Sequence, residues 1–284
     1  MDILVSHDWL AAHLDDPDLV VIDCTNGAAW DESSGKFKTV SGRARWAEAH
    51  IRGSVHADFT EPGFAGNADK YRNTLPDPRA FADAMERLGV GDTSCVVLYD
   101  DAASLWATRL WWMLRWIGFD RAAVLNGGWP TWSAEVGDNG AGEGHAPARG
   151  RLSMRLRPEL FVEIDAVLSA LHDGGTLIID GLSAAQHAGK AAELGLSGHI
   201  PGAVNIPGAE LVDQATMRFL SDDALAARFP VQKARRCILY CGSGIAAASV
   251  AFNMHRMGHE SLTIYMPGLQ EWVEHPEAPI VTGI

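Results

Sequence analysis

The 284-residue sequence predicts an α/β protein of two tandem domains, each a parallel sheet with helices on both faces. Three observations carry that prediction. Short apolar, β-rich runs alternate with helical runs in both halves; landmarks of the first half recur in the second; and one second-half strand runs directly into a glycine-spaced turn and an alanine-rich helix.

In the first half Ser6 stands as the cap of an opening helix, and strands are read at 19–24, 96–99 and 122–125. One helix is read at 81–88. Another runs through Trp106, Leu110, Met113, Leu114 and Ile117 and stops at Gly118. Trp106, Trp111, Trp112 and Trp116 are spread round it, so it should pack on its sheet on one side and on a neighbouring domain on the other. In the second half strands are read at 177–180, 237–240 and 262–265, with a helix at 222–229. Active residues are expected at the strands' carboxyl ends.

The halves align at four places. Val21-Ile22-Asp23 answers Ile178-Ile179-Asp180, and His50-Ile51-Arg52-Gly53 answers His199-Ile200-Pro201-Gly202. Tyr99-Asp100 answers Tyr240-Cys241, and Gly128 to Trp132 answers Gly268 to Trp272, each a Gly-x-x-x-Trp. The offset drifts from 157 residues at Asp23 and Asp180 to 140 at Gly128 and Gly268, as duplication followed by loop insertions and deletions produces. Domains are therefore expected at 1–136 and 157–284. A glycine-rich polar tract at 137–156 is read as the linker.

Composition narrows the function classes. With 23 Lys and Arg against 36 Asp and Glu, the net charge of −13 argues against nucleic acid or an anionic membrane as partner. No apolar stretch is long enough to span a bilayer, and the first residues lack the basic start and apolar run of a secretory signal, so a cytoplasmic location is expected. The four cysteines form neither a disulfide framework nor a zinc-ligand pattern, and no metal or cofactor is expected. Cys24, Cys95 and Cys237 read as core thiols, with Cys24 notable for its place at a strand's carboxyl end.

Cys241 differs. It lies where the 237–240 strand meets Gly242-Ser243-Gly244-Ile245-Ala246, and amides of such a turn converge with the helix N-terminus on one point, stabilising an anion there. A nucleophilic cysteine with a depressed pKa is the expectation. Only one of the two duplicated units carries it, since Asp100 holds the corresponding position. Cysteine phosphatases use a similar loop but need an arginine six residues after the cysteine to clamp phosphate; Ala247 stands there, which argues against that chemistry.

These features together resemble the two-domain sulfurtransferases of the rhodanese family, over nearly the whole chain: the strand-Cys-loop-helix, the His-Ile-Pro-Gly-Ala segment at 199–203 with its counterpart at 50–53, the paired Gly-x-x-x-Trp, and the Asp100/Cys241 exchange. The Cys-Gly-Ser-Gly-Ile loop is most similar to that of 3-mercaptopyruvate sulfurtransferases. The resemblance implies two rhodanese-like domains, the second catalytic. It further implies transfer of a sulfane sulfur from a small donor, 3-mercaptopyruvate or thiosulfate, through a Cys241 persulfide to cyanide or a thiol, the latter a small thiol or a thioredoxin-like protein. The alternative is a non-catalytic persulfide carrier or partner-binding module.

Several positions depart from that pattern. Where mercaptopyruvate enzymes carry two substrate-binding arginines, this chain has Gln186 and, in the second stretch, only Lys190. Gln186, His187 and Lys190 are the candidate substrate contacts, Gln186 and His187 being either contacts or solvated loop. Ser243 either donates to donor or persulfide or only shapes its turn. Ala246 replaces a threonine, and Asn73 replaces the histidine that would complete a relay with Asp58 and Ser243.

Overall fold

The structure is a computed structural model describing all residues except 34–35, 67–69, 144–147, 193–195, 230–234 and 284. In the first half the strands are β1 (Leu4–Val5), β2 (Leu19–Asp23), β3 (Asn26–Asp31), β4 (Lys36–Ser41), β5 (His50–Ile51), β6 (Val55–His56), β7 (Cys95–Tyr99), β8 (Ala122–Leu125) and β9 (Asn139–Gly140). Its helices are α1 (His7–His13), α2 (Arg43–Glu48), α3 (Pro78–Arg87), α4 (Leu105–Trp116) and α5 (Gly128–Glu135). The second half contributes β10 (Phe161–Val162), β11 (Leu177–Asp180), β12 (Val204–Asn205), β13 (Cys237–Tyr240) and β14 (Leu262–Tyr265). With them come α6 (Ile164–Asp173), α7 (Ala184–His187), α8 (Asp222–Arg228), α9 (Ile245–Arg256) and α10 (Leu269–Trp272).

Each half forms a five-stranded parallel sheet, ordered β1-β8-β7-β2-β6 in the first and β10-β14-β13-β11-β12 in the second. The two orders match position for position, as duplication requires. Strand alternation sorts the side chains between layers. On β7, Val96 and Leu98 face an inner core while Val97 and Tyr99 face an outer one; on β13, Cys237 and Leu239 face inward and Ile238 and Tyr240 outward. Cys241 continues the inward set.

The inner core is shared by both domains. Trp111 of α4 meets Phe252 of α9 edge-on with ring centroids 4.9 Å apart, and Trp116 meets Phe161 edge-on at 5.8 Å. The tryptophan-rich helix is thus the domain interface its composition predicts. The outer cores are closed by the repeated tryptophans, Trp132 and Trp272, both fully buried.

The tyrosine before each landmark residue explains another repeated motif. Tyr99 Oη accepts from Ile51 N at 3.2 Å and Tyr240 Oη accepts from Ile200 N at 3.0 Å, so each tyrosine braces the His-Ile turn of its own domain. The tract 137–156 lies against the first domain where it is described. β9 pairs antiparallel with β5, and Leu152 N donates to the buried Glu86 at 3.0 Å, while Arg149 adds an ion pair to the same carboxylate. Residues 144–147 of that tract lie outside the described residues. Among the described residues the β3–β4 hairpin of the first domain, paired antiparallel from Asn26↔Ser41 to Asp31↔Lys36, has no counterpart in the second.

Candidate active site

Cys241 sits at the carboxyl end of β13, only 3% exposed, and Gly244 (φ +79°) turns the chain from its loop into α9. Ser243, Ala246 and Ala247 direct their backbone N–H groups to the Cys241 sulfur. The first domain shows what this cradle is built to hold. There Asp100 occupies the position, its carboxylate accepting from the N–H groups of Ala102, Ser104, Trp106 and Ala107 at 2.8–2.9 Å. Ala102, Trp106 and Ala107 are the counterparts of Ser243, Ala246 and Ala247, so both domains present the same amides to one atom group. One cradle is filled by a fixed anion; the other holds a thiol.

The expected depression of the Cys241 pKa is not a property of this closed loop. Burial pushes the thiol above its ordinary value, the three amides pull it down, and the Asp180 charge pushes it up again. The other thiols are held neutral more firmly: burial raises Cys24 well above the usual range, and Cys237 is pushed up to about 11. Cys24 is fully buried in the inner core.

A cavity of about 320 Å³ opens over the Cys241 loop between the domains. The second domain lines it with Cys241, Gly242, Ser243, Ile245, Ala246, Gln186, the 181–183 turn, Pro207, Ala209 and Glu210, the last an exposed carboxylate paired with Arg228; the first adds Gly27, Ala28, Arg72, Asn73, Leu105 and Trp106. Gln186 therefore reaches the cavity. His187 does not line it, because its ring is committed elsewhere: Nδ1 lies 2.7 Å from Asp180 Oδ2 and the imidazole stacks on His199 at 3.7 Å. His199 in turn bonds the His187 carbonyl at 2.7 Å, ordering the turn before Ile200. Lys190 is exposed and outside the lining, and Glu193 of the same stretch lies outside the described residues.

Ser243 is buried, and Asn73 Nδ2 donates to its Oγ at 3.4 Å. Asn73 Oδ1 accepts from Thr39, whereas Asp58 is taken up by Ser41 and Thr60. The hydrogen bonds to Asp58 thus come from the Ser41 and Thr60 hydroxyls and the Thr60 N–H, all in the first domain. An amide at position 73 links Ser243 to the first domain without offering a titrating group.

Two cations missed by the sequence reading come from the first domain. Arg72 lines the cavity half-buried, and its charge interacts with that of Cys241. Arg109 of α4 is fully buried, with Nη2 donating to Asn73 O at 2.8 Å and Nη1 contacting the Met266 sulfur beside Gly244. Burial pushes Arg109 down to about 9, with the Cys241 charge pulling it back up. No carboxylate lies within ion-pair distance of either guanidinium among the described residues. A charged residue in the apolar run of α4 was the available signal for Arg109; Arg72 stood beside Asn73 in a segment read only for its missing histidine.

The paired Gly-x-x-x-Trp also acquires a reason. Gly268 adopts φ +61°, ψ −147°, a region open essentially to glycine, and a Cβ there would lie 2.2 Å from the Cys241 carbonyl oxygen. Gly128 stands in the same relation to the Asp100 carbonyl, also at 2.2 Å. The close approach lets Leu269 N bond Cys241 O at 2.8 Å and Trp129 N bond Asp100 O at 2.9 Å. Gly268→Ala is expected to lower unfolding free energy by about 2–4 kcal/mol and to displace the Cys241 loop. Urea unfolding and the rate of Cys241 alkylation report the two effects separately.

Duplicated parallel-sheet domains that present a cysteine and an aspartate from matching amide cradles define the two-domain α/β class with one thiol-bearing unit. The chain belongs to the rhodanese family: the rhodanese-like domain matches residues 6–135 and 163–275. It is 30% identical over 282 residues to the 3-mercaptopyruvate sulfurtransferase of Escherichia coli K12, covering 97% of this chain and 96% of that protein. It is 31% identical over 302 residues to the thiosulfate sulfurtransferase of Bos taurus, covering 99% and 95%. The crystal structure of SseA from Escherichia coli superposes with a TM-score of 0.80 at 30% identity, over 93% of this chain and 98% of that one. The Tum1 protein of Saccharomyces cerevisiae shares the fold, with a TM-score of 0.82 at 18% identity over 100% and 99%.

Proposed function

We propose that this protein is a sulfurtransferase that carries a sulfane sulfur on Cys241, taking it from a small anionic donor, 3-mercaptopyruvate or thiosulfate, and passing it to a thiol or cyanide. The observation that carries this reading is the pairing of the Cys241 cradle with the Asp100 cradle, because an amide set that holds a carboxylate in one domain is suited to hold a persulfide anion in the other. Relatives named for each donor are similar to this chain, which agrees with either choice.

In the first half-reaction the Cys241 thiolate attacks the donor sulfur. With mercaptopyruvate the C–S bond breaks and its electron pair leaves as the pyruvate enolate, which takes up a proton; with thiosulfate the S–S bond breaks and sulfite leaves. The outer sulfur then rests as an anion among the amides of Ser243, Ala246 and Ala247. In the second half-reaction an acceptor thiolate attacks that outer sulfur, the S–S bond to Cys241 breaks, and the Cys241 thiolate is restored. A small thiol and a thioredoxin-like dithiol are both suitable acceptors, and a cytoplasmic site is consistent with a thiol-dependent cycle; no described helix is long and apolar enough to cross a membrane.

Arg72 supplies the cation that positions 186 and 190 do not bring to the cavity, which favours an enzyme over a passive carrier. Incubation with either donor is expected to add one sulfur atom's mass to the intact protein, at the peptide containing Cys241. An unlabelled Cys241 after both donors overturns the assignment.

A further inference from the structure

A second cavity, of about 400 Å³, adjoins the one over Cys241 and shares Arg72 with it. Its composition runs against the molecule's charge. Among the described residues, Lys36, Lys70 and Arg72 line it against one carboxylate, that of Glu274, in a chain of net charge −13. Glu274 pairs with Lys70 at 3.2 Å, while Lys36 has no carboxylate within ion-pair distance among the described residues. Local positive potential in a negatively charged protein concentrates anions at that mouth.

The outer wall is the β3–β4 hairpin, which has no counterpart among the described residues of the second domain. It presents Trp30, 51% exposed, held by cross-strand pairing with Phe37 at a ring separation of 5.1 Å. An indole kept at a domain seam in that way offers a flat apolar face beside Lys36 and Arg72. The fold of the repeated unit does not need the hairpin, since the second domain forms the same sheet without it.

We infer that this second cavity is the acceptor site, and that the acceptor it takes is a small anionic thiol with carboxylates on a flexible body. The inference rests on the Cys241 persulfide reading above. The carboxylates lie against Lys36 and Arg72 and the apolar part of the chain against Trp30. The acceptor's thiol, having released its proton to solvent, reaches across Arg72 to the outer sulfur. The bond formed is acceptor S–S, the bond broken is the S–S to Cys241, and no other oxidant or reductant takes part.

The test uses the whole protein, loaded with sulfur on Cys241, with reduced glutathione as the anionic thiol and 2-mercaptoethanol as the neutral one. Lys36→Glu is expected to raise the KM for glutathione about tenfold and Trp30→Ala about fivefold, with 2-mercaptoethanol turnover and the rate of sulfur loading changed less than about twofold. Lys36→Gln, which keeps an exposed polar side chain, is expected to fall between wild type and Lys36→Glu. Equal effects on both thiols, or no effect on glutathione, overturn the proposal. So does a loss confined to a thioredoxin-type protein dithiol, which makes the cavity a protein-docking face. Failure of the wild-type protein to load sulfur at all is read by mass before any acceptor is added, and it sinks the proposed function and this inference together.

Discussion

Cys241→Ser is expected to bring sulfur transfer to background, a loss of at least about a thousandfold, while the protein folds as before. Among the described residues the bases nearest a serine hydroxyl at this position are committed elsewhere: His187 is bound to Asp180, His199 to the His187 carbonyl and Glu210 to Arg228, while position 73 is an amide. The amides of Ser243, Ala246 and Ala247 bind an anion once it exists, yet they do not take a proton from the hydroxyl. Oxygen in place of sulfur removes one polarisable atom from a buried site already satisfied by N–H donors, so the change in unfolding free energy should stay within about 1 kcal/mol. Single-turnover loading followed by mass spectrometry, with urea unfolding on the same samples, separates chemistry from folding. Cys24→Ala is the control: that thiol is buried and held neutral in the inner core, and the variant should still load sulfur. Transfer that survives Cys241→Ser ends the persulfide mechanism.

Much of the fold was legible because the central strands are buried on both faces. The run 237–240 is apolar at every position and 177–179 likewise up to the closing Asp180, and the structure places β13 and β11 on those same residues. The edge strands β1, β6, β10 and β12 are two residues long and carry no pattern of their own, since the neighbour's register defines them. The β3–β4 hairpin went unread for a related reason: one of its faces meets solvent, and Trp30 and Lys36 give no apolar run.

The site divides along the same line. The Cys241 loop is local in sequence, so strand, turn and helix dipole could be read from consecutive residues. The thiol's pKa direction could not, because burial outweighs three amides. Arg72, Arg109 and Asn73 reach the loop only after the two domains pack through α4 and α9, and no spacing within the chain reports that. A cation was sought near Gln186 by analogy within one domain, whereas the arginine that lines the cavity, Arg72, comes from the other.

Arg72→Met is expected to lower kcat/KM for an anionic donor about a hundredfold, with most of the loss in KM. The side chain keeps its apolar stem in the cavity wall, so packing changes little, and what leaves is a half-buried guanidinium with no carboxylate of its own within ion-pair distance among the described residues. A cation in that state is available to a donor carboxylate or sulfonate, and at cavity dielectric such a contact contributes roughly 2–3 kcal/mol. Arg72→Lys should recover only part of the loss, because an ammonium supplies charge without the paired donors. Arg109 does not replace it: that guanidinium is fully buried, bound to the Asn73 carbonyl and wedged beside Gly244, so it supports the loop from below. Raising ionic strength should weaken donor binding in the wild type and leave Arg72→Met nearly indifferent, since the variant has already lost the attraction that salt screens. Steady-state kinetics with thiosulfate and with mercaptopyruvate at two salt concentrations decide the matter, and an unchanged KM in Arg72→Met for both donors would remove Arg72 from the substrate site.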